Sequence, residues 1–337
     1  CKAFMGQLLS SPLLWGRLHV RLGSSAGLEA AFCDWLSERR DAVRQLHVER
    51  AEHLALPGRL TALLGRGLEQ LELTRAELQD QPCQLPRLPA MQRLVLRDSL
   101  GATQFLGLLL PEKLPALVAL DCYDCHLMAE VFNVLSQLRT LTRLCLHSCF
   151  TGQVPGGLSQ LRSLAWLREL DLGGNWQLDG GEQLGAGLHA LQSCTGLTAL
   201  GLASCGLAAV PSQVSSLPSL QALDFSGNGR VGGPAAEVML QPLQHLTHLT
   251  RLSLRQCQLP DLPTSLSVLA GLACLDVSSC SLYTIPAFIS ALTSLQNLDL
   301  GQNKLSRTAE ITFRPLGRLA GLTALNLTRR GIHSWPT

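Results

Sequence analysis

Cys122-Tyr123-Asp124-Cys125-His126 has the Cys-x-x-Cys-His spacing at which c-type haem is attached. Further along, Cys145 and Cys149 stand four residues apart, and His245 and His248 three apart. Zinc needs four converging ligands, which neither cysteine segment supplies alone, and a lone histidine pair at that spacing is usually solvated. There is no Gly-x-x-x-x-Gly-Lys-(Ser/Thr) phosphate loop; Gly173-Gly174, Gly180-Gly181 and Gly232-Gly233 have the composition of turns. No Ser–His–Asp set can be placed from the sequence. The expectation is a chain with no catalytic residues, no metal ligands and no cofactor, so the cysteine spacing needs another origin.

That origin is a repeat. The frame Leu-x-x-Leu-x-Leu-x-x-(Asn/Cys)-x-Leu opens at Leu68, Met91, Leu117, Leu141, Leu167, Leu197, Leu220, Leu249, Leu272, Leu295 and Leu322, with a degenerate copy at Val43. Ala76, Ser99 and Arg330 replace Asn or Cys at the ninth position, and successive frames from Leu68 on are 23 to 30 residues apart. From Val43 to the C-terminus the chain resembles the leucine-rich-repeat family. The resemblance implies an α/β solenoid, a horseshoe with a parallel concave sheet and mixed helical and extended convex returns. Residues 43–337 form the repeats, about twelve copies with the last incomplete.

Each copy has a mechanical reading. The fourth and sixth positions alternate with small or polar residues, which predicts a short strand with its leucines turned inward. Asn or Cys at the ninth position can bond or pack beneath the turn that leaves the strand. Cys122 and Cys125 fall at the sixth and ninth positions, so the haem-like spacing is inherited from the scaffold; Cys145 falls at an outward fifth position. Copies with Asn175, Asn228 and Asn303 run 30, 29 and 27 residues, the first two through helix-like Glu182–Leu191 and Ala235–Leu246. Copies with Cys205, Cys257 and Cys280 run 23, and Pro211, Pro263 or Pro286 in the return predicts extended or tightly turned backbone. Alternating bulky and thin returns would concentrate curvature around residues 167–249.

Third, fifth and seventh positions point away from the core and should line the concave side. There the early strands supply Arg93, Arg97, Asp121, Tyr123, Arg143 and His147, a mixed-charge cluster rich in hot-spot residue types. Gly173, Ala199, Gly201, Ala203 and Ala222 form a floor nearly without side chains. Later strands add Asp224, Arg251, Arg255, Asp276, Asn297 and Asp299. Asp276 and Asp299 occupy the fifth position of adjacent strands, within about 5–6 Å of each other. Such a pair can hold a cation or a partner's arginine, but an open face gives little desolvation to tune a general acid. Eleven strands at about 4.8 Å give an arc on the order of 50 Å, the scale of a protein partner.

Composition agrees. Of 337 residues, 76 are leucine and 15 aromatic, so one residue type fills the interior. A formal charge of +2, with only three lysines, argues against a nucleic-acid surface. Polar residues or proline interrupt every apolar run before the roughly 18 residues that a membrane span needs. Twelve cysteines in so long a chain, many at a repeated position, suggest reduced thiols and an intracellular site, cytoplasm or nucleus. Asn326-Leu327-Thr328 lies in a predicted strand, which makes it a poor glycosylation acceptor.

Before Val43 a helical pattern replaces the repeat. Cys1-Lys2-Ala3-Phe4 with Ser11-Pro12-Leu13-Leu14-Trp15-Gly16-Arg17-Leu18 resembles the last third of an F-box. Ala31-Phe32-Cys33-Asp34-Trp35-Leu36 and Arg39 to Val43 resemble the segment joining F-box to repeats in plant and algal F-box proteins. The resemblance implies that Phe4, Leu14 and Trp15 are remnants of a surface for a Skp-type adaptor, and that the repeats select substrates for a cullin ubiquitin ligase. The Leu-Pro-rich first helix of that family has no counterpart here, and is expected upstream of Cys1 if the chain is a fragment. Otherwise residues 1–42 act as a helical cap over the first repeat. The bare last frame is expected to reflect truncation or self-association. A stand-alone repeat scaffold in signalling or cytoskeletal assembly is the alternative to a ligase subunit.

Overall fold

A computed structural model describes residues 16–21, 34–49, 64–78, 85–150, 156–176, 187–229, 236–305 and 313–328. The chain divides into two compact units, residues 1–151 with 155–167, and residues 152–154 with 168–337. The first contains β1 (Arg17–Arg21), β2 (Gln45–Glu49), β3 (Gln70–Thr74), β4 (Arg93–Arg97), β5 (Ala119–Tyr123) and β6 (Arg143–His147). The second contains β7 (Glu169–Asp171), β8 (Ala199–Gly201), β9 (Ala222–Asp224), β10 (Arg251–Ser253), β11 (Cys274–Asp276), β12 (Asn297–Asp299) and β13 (Ala324–Asn326). Within each unit every strand pairs in parallel with its neighbours in sequence, without a register slip.

The repeat dictates this register. Leu46, Leu71, Leu94, Leu120 and Leu144, all at the fourth position, lie side by side and are at most 2% exposed. Slipping one residue would turn that column to the open face. Leu200, Leu223, Leu252 and Leu275 form the matching column in the second unit.

The returns match the expected classes in part. The long copies of the second unit carry a helical turn followed by a 3-10 turn: 187–190 then Leu191–Ser193, and Ala236–Met239 then Gln241–His245. Over Glu182–Leu191 the described residues 187–190 are helical; the continuous helix expected over Ala235–Leu246 gives way after Met239, where Pro242 sits in a 3-10 turn. In the short copies Pro211, Pro263 and Pro286 stand extended, with ψ of 132, 145 and 146°, each immediately before one 3-10 turn. In the first unit the returns are helical at Ala102–Leu106 and Val131–Leu135, where Phe105 and Phe132 are buried.

Two further corrections concern the N-terminal segment and the open face. Arg17-Leu18, assigned above to a helical remnant, belong to β1, which pairs with β2 from Arg17↔Gln45 to Arg21↔Glu49. The strand therefore continues the repeat frame one copy before Val43. Helical structure among the described residues of 1–42 is confined to the turn at 34–37, where the Arg39 guanidinium lies 5.3 Å from the centre of the Trp35 ring. Phe4, Leu14 and Trp15 lie outside the described residues. Cys145 takes the outward fifth position as expected, beside Asp121, yet is 1% exposed.

The ninth position joins coil to coil. Asn228 donates to the carbonyls of Leu202 (2.9 Å) and Phe225 (2.8 Å), while its Oδ1 accepts from the N–H groups of Cys205 (3.1 Å) and Leu207 (3.0 Å). Asn303 repeats the pattern with Val277, Leu300, Cys280 and Leu282. A cysteine has one weak donor and no strong acceptor, and its shorter contact is toward the preceding coil, as Cys205 to Leu172 O (3.2 Å) and Cys280 to Leu254 O (2.9 Å). The residue before is left-handed in every copy from Arg75 to Gln302, with φ between 48 and 72°. This turns its N–H onto the next coil, as for Asp98 to Tyr123 O and Ser204 to Ser226 O. Nine described cysteines are thiols, eight of them buried.

Asn228→Ala strands four buried backbone groups and should cost about 2–3 kcal/mol or more in urea unfolding, against roughly 1 kcal/mol for Cys205→Ala. Equal costs would remove the bridging role. Burial pushes the Cys205 and Cys257 thiols up to about 12 and Cys280 to about 11. The unfolded chain loses these protons near 8.5 while the folded chain keeps them, so stability is full below that pH and declines as pH rises above it. Ellman-type titration at pH 8 should find these thiols silent until the chain is unfolded, and prompt modification would contradict their burial.

Candidate functional site

On β3 to β6 the third, fifth and seventh positions bring together a cluster of charged side chains. Asp121, at the centre of β5, is 0% exposed although it faces away from the leucine core. Its cover is a pair of arginines. Arg93 donates through Nε (2.9 Å) and Nη2 (2.7 Å) to Oδ2, and Arg143 donates through Nε (2.9 Å) to Oδ1. Both guanidinium side chains remain about two-fifths exposed, at 41% and 42%. A buried carboxylate is tolerated only when paired and hydrogen-bonded, and here two cations do both. Asp121 is thus a positioning residue; the surface it offers is that of its arginines.

A second group adjoins the first. Arg97 Nε donates to Glu72 Oε1 at 2.8 Å, and its guanidinium lies 4.1 Å from the Tyr123 ring centre, a cation–π stack. Burial works against the Arg97 charge, but the hydrogen bond and charge of Glu72 outweigh it and raise its pKa. The Tyr123 and His147 rings are 6.2 Å apart and tilted by 43°. Burial, then the neighbouring Cys145 thiol, pushes the Tyr123 phenol above its ordinary value against the pull of Arg97, so the hydroxyl stays protonated at neutral pH. Val95 and Cys145, beside Asp121 in the fifth-position row, are buried beneath these long side chains. All six early residues singled out from the sequence therefore meet on adjacent strands. Glu72 was missed, although reading the frame one copy earlier places it at the fifth position.

The second unit is built differently. Asp171, Asp224, Asp276 and Asp299 each accept, through Oδ1, the backbone N–H two residues on, at 2.8 to 3.0 Å. These bonds close the chain at the strand's end and occupy one oxygen of each carboxylate. Asp276 and Asp299 are register partners, as expected, and Asp299 Oδ2 also accepts from Asn326 Nδ2 at 3.0 Å. With exposed Arg251 they line a shallow hollow of about 770 Å³ over β9 to β13. Arg255 is exposed beyond the end of β10. Among the described residues no ion pair joins Arg251 or Arg255 to these aspartates. Between the arms of the floor, a Cβ at Gly201 would meet the Asp171 carboxylate, which is why that position is bare.

Among the described residues no helix is long and apolar enough to cross a membrane. No protein-family model and no curated protein matches the sequence. Among solved structures, the chain is similar to TLR13 in its complex with ssRNA13, at 21% identity over 89% of this chain and TM-score 0.56. It spans about half of that chain, 52%. It is also similar to an internalin (InlF) from Listeria monocytogenes, at 16% identity over 96% of this chain and 89% of that one, TM-score 0.50. A leucine-rich-repeat protein of Leptospira interrogans, LIC12759, aligns at 18% identity over 96% of this chain and 86% of its own, TM-score 0.49. The repeat frame, the parallel register and the two higher-scoring likenesses agree: the chain has the α/β leucine-rich-repeat solenoid fold.

Proposed function

We propose that the chain is a protein-binding module that grips a protein partner through the Arg93–Asp121–Arg143 and Arg97–Tyr123–His147 groups and acts by binding, not catalysis. The observation that carries this is the buried Asp121 carboxylate, which fixes two half-exposed arginines before any partner arrives. Immobilising long side chains is a main cost of association, and here it is met within the fold. Arginine and tyrosine held in this way suit a partner surface with carboxylates and an aromatic or apolar ridge. Arg251, Arg255, Asp276 and Asp299 offer a separate surface in the second unit.

As to cellular role, the first reading is the substrate-recognition subunit of an SCF-type cullin ubiquitin ligase, with a Skp-type adaptor on the segment containing Phe4, Leu14 and Trp15. It rests on the F-box-like sequence before Val43. The second reading, a scaffold without ligase association, is favoured by β1, which uses Arg17 and Leu18 in the sheet. An intracellular setting suits both, since the described cysteines are thiols.

In pull-downs from cells, Tyr123→Ala and Arg143→Ala should each weaken capture of the chain's partners about tenfold or more. Asp121→Asn should weaken it similarly without touching the partner. Partner binding that survives Tyr123→Ala with Arg143→Ala, in a chain with unchanged circular dichroism, would eliminate this patch. Purified Skp-type adaptor should co-elute with the chain on size exclusion under the ligase reading; separate elution selects the scaffold.

A further inference from the structure

The fifth-position row begins with two histidines. His19 on β1 and His47 on β2 are register partners, with parallel rings 4.2 Å apart and an interplanar angle of 1°. Glu49, two residues after His47, turns to the same open face and places Oε1 3.0 Å from His19 Nε2. One donor atom from each of the three residues falls within 4.8 Å of the others. His19 and His47, with Arg17 and Glu72, line a hollow of about 260 Å³ on the same face.

We propose that His19, His47 and Glu49 form a binding site for a first-row divalent metal ion of the Zn²⁺ type. Two imidazoles and a carboxylate are a borderline donor set that Zn²⁺, Ni²⁺ and Cu²⁺ favour over Mg²⁺ or Ca²⁺, which take oxygen cages. Tetrahedral Zn²⁺, with bonds of about 2.0–2.2 Å, sets its donors roughly 3.4 Å apart. The side chains must therefore close by on the order of 1 Å, and the two rings must tilt out of their stack so that their nitrogens converge. Side-chain torsion alone allows this, because the ladder already fixes the two strands. His19 is exposed and His47 and Glu49 are partly so, which lets solvent supply the fourth ligand.

The surroundings fit a cation. His47 Nε2 lies 4.0 Å from Glu72 Oε1 and 3.3 Å from Thr74 Oγ1, so a carboxylate and a hydroxyl can orient that ring, as outer-shell groups do at metal sites. Arg21 Nε lies 3.8 Å from Glu49 Oε2 and competes for the carboxylate, but its side chain is 64% exposed and can swing into solvent. The site is on β1 and β2, apart from the partner-binding groups on β4 to β6. It goes beyond the binding role proposed above and does not depend on it. A metal here would also clamp the first two coils together across their open face.

The test uses the full chain, kept reduced, with ZnCl₂ followed by isothermal titration and CoCl₂ by visible absorption. One Zn²⁺ per chain should bind in the micromolar range. His19→Ala and His47→Ala should each weaken it at least tenfold, Glu49→Gln several-fold, and His245→Ala not at all. Co²⁺ should give d–d bands without the near-ultraviolet charge transfer of thiolate ligands. Should His47→Ala unfold the chain, His19→Gln, on the outer strand, supplies the same comparison. Zn²⁺ affinity unchanged in the His19 variants, thiolate charge transfer with Co²⁺, or no binding at 100-fold excess would each overturn the proposal.

Discussion

A coil of leucine-rich chain can be buried only if its backbone amides and carbonyls are satisfied by its neighbours, since leucine itself offers nothing to bond with. That requirement explains why the structure is so regular. The strand ladder satisfies one side of each coil. At the corner, where the ladder stops, the left-handed eighth residue turns an N–H onto the next coil, and the ninth side chain takes up what remains. Asn228 and Asn303 each satisfy a carbonyl of their own coil together with one carbonyl and two amides of the preceding coil. Cysteine at the same place trades that capacity for apolar packing and one weak bond. Shared corners force shared register, and shared register makes columns.

Columns govern the chemistry as well as the core. On the open face, residues at the same frame position in successive copies stand about 4.8 Å apart, close enough for direct hydrogen bonding by any polar side chain. Where like charges would meet, the chain separates or neutralises them. Asp121 has arginines on both flanking strands, and Glu72 has Arg97 and His47. In the second unit the acidic column instead turns inward on its own backbone, each aspartate accepting an N–H two residues along. The first unit thus displays preorganised cations, while the second spends its carboxylates on closing the strands.

Periodicity made the core legible because burial follows the frame almost without exception, from Leu71 to Leu298. It also identified the members of the early cluster, since third, fifth and seventh positions do share a face. It could not reveal that Asp121 and Cys145 would be buried there. Alternation says which way a side chain points, and only the reach of neighbouring arginines and Tyr123 decides whether solvent follows. β1 escaped for a different reason. Arg17–Arg21 contains one leucine and one valine, too little apolar signal to outweigh the aromatic and helical pattern around it. Its likeness to β2, Leu-His-Val in both, was the available clue. The 3-10 returns were hidden because proline and leucine spacing excludes a long helix without distinguishing extended chain from a tight turn.

The same likeness bears on how a repeat face acquires chemistry. A duplicated Leu-His-Val segment, stacked in register, necessarily brings its two imidazoles together at the fifth position. The two rings lie parallel, 4.2 Å apart on adjacent strands. A carboxylate two residues on lies within 3.0 Å of one ring, and a metal ion would take one donor from each of the three side chains. Repetition alone therefore supplies two ligands, and a single further difference between the copies, Arg21 in one and Glu49 in the other, supplies the third.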